Sequence, residues 1–173
     1  MTTSALVVGS VPARGGWSAL VSGVAAGAAA GAAGTTALNA LTYLDMAVRG
    51  RPTSSTPQDT VEALSEKLHV PIPGDEKTRQ NRVAGLGPLT GLVAGVGIGA
   101  VLGVARAAGW RPGLLATGLA ATVGALIGTN GPMTVLGVTD PRTWAAKDWA
   151  SDVVPHFAYG AAAAYALRGL DTA

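Results

Sequence analysis

The sequence predicts an all-α fold: a four-helix transmembrane bundle with glycine-zipper packing and two short interfacial helices. Three observations predict it. Of 173 residues, 49 % are apolar and only 13 % charged, where a soluble domain is nearer a quarter charged. Four apolar stretches approach the length of about 20 residues that a helix needs to cross a bilayer. Glycine, present 25 times, recurs at a four-residue period inside those stretches.

The first span runs from about residue 17 to 46 and holds no charge before Asp45. A cleaved leader is the alternative, with small residues from Ala28 to Ala33 resembling a cleavage site. The apolar run continues past that site to Leu44, and only Arg14 precedes Trp17, so a retained helix is expected. The second span, 83–105, is the most uniformly apolar. The third, 112–138, is expected to break near 128–132, where Gly128-Thr129-Asn130-Gly131-Pro132 interrupts it. The fourth, 150–168, has Asp152 and Arg168 near its ends. All four tryptophans fall at span ends: Trp17, Trp110, Trp144 and Trp149. Indole favours the headgroup level, where its ring is half buried and its N–H stays wet. The whole chain, 1–173, reads as a single membrane domain.

The polar link 47–82 carries an amphipathic helix at 57–69. Thr56 reads as its N-cap, Pro57 as the first helical residue, and Asp59 lies near the positive end of the dipole. Val61, Leu64 and Leu68 recur at helical spacing, and Pro71, Pro73 and Gly74 end the element. Such a helix suits the membrane surface, the end of the bundle or a soluble partner. Asp140-Pro141 repeats the start signal before Trp144, Ala145 and Trp149, which predicts a second interfacial helix. Eight Lys/Arg on the two links (Arg49, Arg51, Lys67, Lys77, Arg79, Arg82, Arg142, Lys147) oppose Arg14, Arg106, Arg111 and Arg168. That imbalance places both links in the cytoplasm and both termini outside.

In span two, Gly87, Gly91, Gly95, Gly99 and Gly103 recur without a miss, and span one has Gly23, Gly27 and Gly31. Span three continues the spacing with Ala116, Ala120, Gly124 and Gly128. Helices in lipid gain little from hydrophobicity on association, so a stripe without side chains promotes contact by letting backbones approach. Packing among the spans and homo-oligomerisation both fit this pattern.

Polar groups at membrane depth are candidate functional residues. Asn39 and Asp45 lie in span one, Asn130 in the expected break. Asp152, His156 and Tyr159 share one face of span four. A carboxylate one turn before an imidazole can fix its tautomer and favour the imidazolium, as a proton relay needs; it can equally cap and cross-link helices. Metal binding is disfavoured, because the only other histidine, His69, sits in a loop. No cofactor is expected. With no cysteine, no P-loop, no nucleophile elbow and no H-E-x-x-H, enzymatic activity is not expected either. A net charge of +2 from scattered basic residues makes nucleic acid an unlikely partner.

Gly137-Val138-Thr139-Asp140-Pro141, followed by tryptophans and by Ser151-Asp152-Val153-Val154-Pro155-His156, resembles the C-terminal end of the YagU-like family of small four-span inner-membrane proteins. The resemblance covers some forty residues and implies an inner (plasma) membrane location without a defined activity. By residue, only Asp152 and His156 carry over. The lack of catalytic motifs, and small residues that leave little room for a cavity, make an accessory or stress-related membrane component the expected function, with the lipid bilayer and a homo-oligomer or membrane protein as partners. The alternative is a small channel or proton-linked transporter using the Asp152/His156 face.

Overall fold

The computed structural model describes residues 16–171, and Arg14 lies outside them. Every regular element there is helical: α1 (Gly16–Arg49), α2 (Thr56–Leu68), α3 (Glu76–Ala107), α4 (Leu114–Val135) and α5 (Ala146–Asp171), with a single 3-10 turn at Pro141–Thr143. Three helices, α1, α3 and α4, are long and apolar enough to cross a membrane. The fourth expected span falls in α5, which is not among them. Its apolar run is shorter and follows Lys147, Asp148 and Asp152.

The four long helices pack side by side. α1 contacts α3 and α5, and α4 closes the set by contacting α5 and α3. α1 and α3 are antiparallel and meet backbone to backbone. A Cβ placed on Gly23 would stand 2.7 Å from the carbonyl oxygen of Gly103, and one on Gly31 would stand 2.5 Å from that of Gly95. Gly27 and Gly99 are each closed off by the other's carbonyl oxygen. Without side chains in between, Cα–H groups and carbonyls of the two helices lie in direct contact.

The register of small residues differs from the expected stripe at four places. Gly91 faces open space, and Gly87 meets Pro57 and Gln58 of α2 instead of another long helix. The reason is geometric: four residues turn a helix by about 400°, so an i, i+4 row drifts about 40° per step and leaves the facing helix after a few repeats. In α4, Gly124 and Gly128 meet only the Ile98 side chain of α3. The buried row toward α5 is the adjacent one, Thr117, Ala121, Thr122 and Ala125. There Gly160 of α5 is pressed against the Thr122 hydroxyl and the Gly118 carbonyl. The packed centre comprises Ala30, Leu102, Ala121, Ala125, Tyr159, Ala163 and Leu167.

The expected break at 128–132 does not occur: α4 runs unbroken through Pro132 to Val135. Proline frees one carbonyl four residues back, that of Gly128, while hydroxyls brace the turns on either side of it. Thr129 donates its hydroxyl to Ala125 O at 2.8 Å and Thr134 donates to Asn130 O at 2.7 Å. Both hydroxyls bond back to their own helix, so the disturbance is confined to the single bond that the proline removes.

The two expected interfacial helices fare differently. α2 forms and starts at Thr56, one residue earlier than expected, with Ser55 as its boundary residue and Pro57 in the first turn. It stands along the charged first turns of α3, where Val61 is buried and Glu62 pairs with Arg79 at 2.7 Å. The second is only the 3-10 turn. Asp140 does cap it, accepting from the Arg142 backbone N–H at 3.0 Å. The Asp140 carboxylate also grips the Arg142 guanidinium, and Trp149 belongs to α5. Trp144 ties the loop down by donating to Thr139 Oγ1 at 2.9 Å and stacking edge-on with Trp149, ring centres 5.0 Å apart.

Candidate functional site

The sequence-predicted polar residues gather at the end of the bundle formed by the last turns of α1 and α4 and the first turns of α5. Helix spacing does the first part of the work. Asp152 and His156 are one turn apart, so His156 Nδ1 lies 2.7 Å from the Asp152 carbonyl oxygen and 3.4 Å from its Oδ1. The α4–α5 contact does the rest. Asn130 donates from Nδ2 to Asp152 Oδ2 at 2.8 Å, and Thr129 Oγ1 lies 3.4 Å from His156 Nε2. His156 is buried, with 7 % of its surface exposed.

This arrangement constrains the protons. A carbonyl oxygen only accepts, so the 2.7 Å contact requires a proton on Nδ1. Thr129 has one hydroxyl proton and three acceptors in reach: Ala125 O at 2.8 Å, His156 Nε2 at 3.4 Å and, more distantly, Leu126 O at 3.5 Å. With neutral imidazole, the hydroxyl can turn to Nε2. With imidazolium, Nε2–H points at Thr129 Oγ1 and the hydroxyl stays on Ala125 O. A single rotor thus accommodates both charge states without moving a helix, and the Asp152 carboxylate faces the charged one.

Tyr159 shares the helix face but joins different partners. It is 1 % exposed, and its hydroxyl reaches across the bundle to donate to Gly95 O of α3 at 2.6 Å. Its ring fills the place left by Gly34, where a Cβ would approach ring carbon Cδ2 to 2.6 Å. Asp45 sits at the same end of the bundle but is held by Arg51 at 2.5 Å and Arg49 at 3.3 Å. Arg49 also donates to Ser151 Oγ at 3.2 Å, tying the end of α1 to the start of α5. Asn39 is the exception among the candidates. It is exposed on the outer side of α1, away from the cluster.

Arg49, Ser151, Gly34 and Thr122 were not singled out by sequence reasoning. Their roles arise from contacts between helices, and only Gly34 continues a visible pattern, a glycine one turn beyond Gly31 with a slip of one residue. Among the described residues no group of His, Asp and Glu is arranged to hold a metal ion. Two surface cavities flank this end of the bundle. One, of about 500 Å³, lies between the 70–73 loop and the start of α3 and is walled by Val70, Ile72, Arg82 and Leu86. The other, of about 380 Å³, lies between α1 and α5. His156, Asn130 and Tyr159 line neither.

No family model, curated protein or solved structure matches this chain.

Proposed function

We propose that this chain is a multi-pass membrane protein of the inner (plasma) membrane whose α1, α3, α4 and α5 form a four-helix glycine-zipper bundle, and that it serves as an accessory component for another protein. α5 completes the crossing because Tyr159, Ala163, Ala164 and Leu167 are buried against its neighbours, which spares it the cost of facing lipid alone. The observation that carries the accessory role is the α2–α3 hairpin. It leaves Leu64 40 %, Leu68 60 % and Val70 62 % exposed beside the 500 Å³ groove. Apolar side chains rimmed by Glu66, Lys67 and Arg82 suit a protein contact.

Affinity purification from mild detergent tests it. A stoichiometric partner is expected with the unaltered chain and its loss with Leu64→Glu/Leu68→Glu. If the chain purifies only with copies of itself, the accessory reading fails.

The second reading is a proton-linked channel or transporter, and the Thr129–His156–Asp152–Asn130 chain favours it. In liposomes His156→Gln should then abolish a pH-driven flux while the fold persists. If the cluster only fastens α4 to α5, His156→Gln keeps full function and His156→Leu lowers thermal stability.

A further inference from the structure

The second cavity has a composition that the accessory role does not use. It is a groove between the last turns of α1 and the first turns of α5, lined by Leu41, Leu44, Val48, Val154 and Pro155. Leu44, Val48 and Val154 remain more than half exposed. At its mouth stand Asp45, Arg49 and Ser151. The apolar wall continues the apolar stretch of α1, and the charges begin where that stretch ends. One wall suits an acyl chain and the mouth lies at headgroup height.

The charges at the mouth do not cancel. Asp45 offers one carboxylate to two guanidinium groups. Arg51 takes it in the tight contact, Nε to Oδ2 at 2.5 Å, and its side chain is the more enclosed of the two. Arg49 makes only a 3.3 Å contact to the carboxylate and a 3.2 Å contact to the Ser151 hydroxyl, both from the same nitrogen, Nη1. Its side chain is 47 % exposed. Within the Asp45–Arg49–Arg51 cluster one positive charge is therefore in surplus, on a forked group that pairs well with phosphate oxygens; beside it Ser151 accepts from Arg49 and donates its own proton to Lys147 O at 2.9 Å.

We infer that this groove holds an anionic phospholipid of the surrounding bilayer, with its phosphate on Arg49 and one acyl chain along Leu41, Leu44 and Val154. The inference rests on the membrane reading given above. Zwitterionic lipid meets the same wall but brings its own cation to the surplus charge, so selectivity for the anionic headgroup follows.

The test uses the full chain in nanodiscs of phosphatidylcholine containing a minority of phosphatidylglycerol, with the lipid retained after detergent extraction measured per chain. Phosphatidylglycerol should be enriched over its share in the bilayer. Arg49→Gln should lower that enrichment roughly fivefold, the weight of one interfacial cation. Arg142→Gln, which removes a guanidinium engaged by Asp140, should leave it unchanged. Val154→Trp fills the groove without touching the charges, and it should lower the enrichment as well. Equal retention in Arg49→Gln and the unaltered chain overturns the site, as does an equal loss in Arg142→Gln, which would mark a diffuse surface attraction. Alkaline extraction of the native membranes separates the two levels. A chain released by carbonate removes the membrane reading and this site together, whereas a chain that stays embedded and shows no enrichment removes only the site.

Discussion

At the scale of single residues, the decisive contacts come from what glycine omits. Gly34 exists so that the Tyr159 ring can lie against α1, and the ring's position delivers its hydroxyl to Gly95 O. Gly34→Ala should therefore cost about 1–3 kcal/mol by overpacking, read as a fall in the detergent melting temperature. In a Tyr159→Val background the same change should cost much less, because the obstructing ring is gone. Additive losses would show that the two residues do not meet. A second residue-scale effect is electrostatic and lies outside the apolar segments. Asp75 caps α3, and the Thr78 hydroxyl, together with the Thr78 N–H at 2.8 Å, holds its carboxyl below the ordinary value of 3.8. A carboxyl with a lowered folded pKa stabilises fully above its unfolded value and loses that contribution as pH falls through the folded one. The amides of the first turn of α3 should thus be less protected, relative to their intrinsic exchange rate at each pH, at about pH 3 than at about pH 6. Asp75→Asn should remove most of that difference, and a change of the same size in the variant would assign the pH effect elsewhere.

Elements show where sequence reading succeeds and where it stops. Periodicity and caps located α2 within a residue because those signals are local: a proline, a carboxylate in the first turn, apolar residues at helical spacing. The interruption at Thr129–Pro132 looked equally local, yet α4 passes through it, with the polar side chain of Asn130 satisfied by Asp152 of α5. That remedy depends on a neighbour 22 residues away, which spacing does not reveal. The polar cluster was half legible. The Asp152–His156 step follows from the helix repeat, whereas the partners on α4 follow from how two helices meet. The same limit applies to the glycine row of α3, where five identical positions have three different surroundings. This makes a direct comparison possible. Gly99→Leu should separate α1 from α3 and cost at least about 3 kcal/mol, while Gly91→Leu, facing open space, should stay within about 0.5 kcal/mol of the parent. Equal detergent stability of the two variants would contradict the register.

For the whole molecule, the antiparallel order of the helices sorts every loop to one of two ends. The α1–α2 loop and the 3-10 turn share an end with the His156 cluster, and the α3–α4 loop with Trp110 lies at the other. Composition alone already implied an even number of crossings, but it rested on a fourth apolar stretch that is short and flanked by charge. Packing now supplies the stronger argument. α5 lies against α1 and α4, and its buried row of Tyr159, Ala163 and Leu167 spans the depth that α3 covers with Gly95 to Gly103. The side chains α5 leaves outward between those buried rows include Val154, Phe157, Tyr165 and Leu170, an apolar face compatible with the proposed crossing. Single cysteines decide the matter in a chain that has none of its own. Introduced at Ser55 and Thr143, they should both react with an impermeant maleimide from one side of sealed vesicles, and cysteines at Gly113 and at Leu170, near the end of α5, should react only from the other. A cysteine at Leu170 reacting from the same side as Thr143 would mean that α5 does not cross, and the four-span arrangement would then be replaced by one with three.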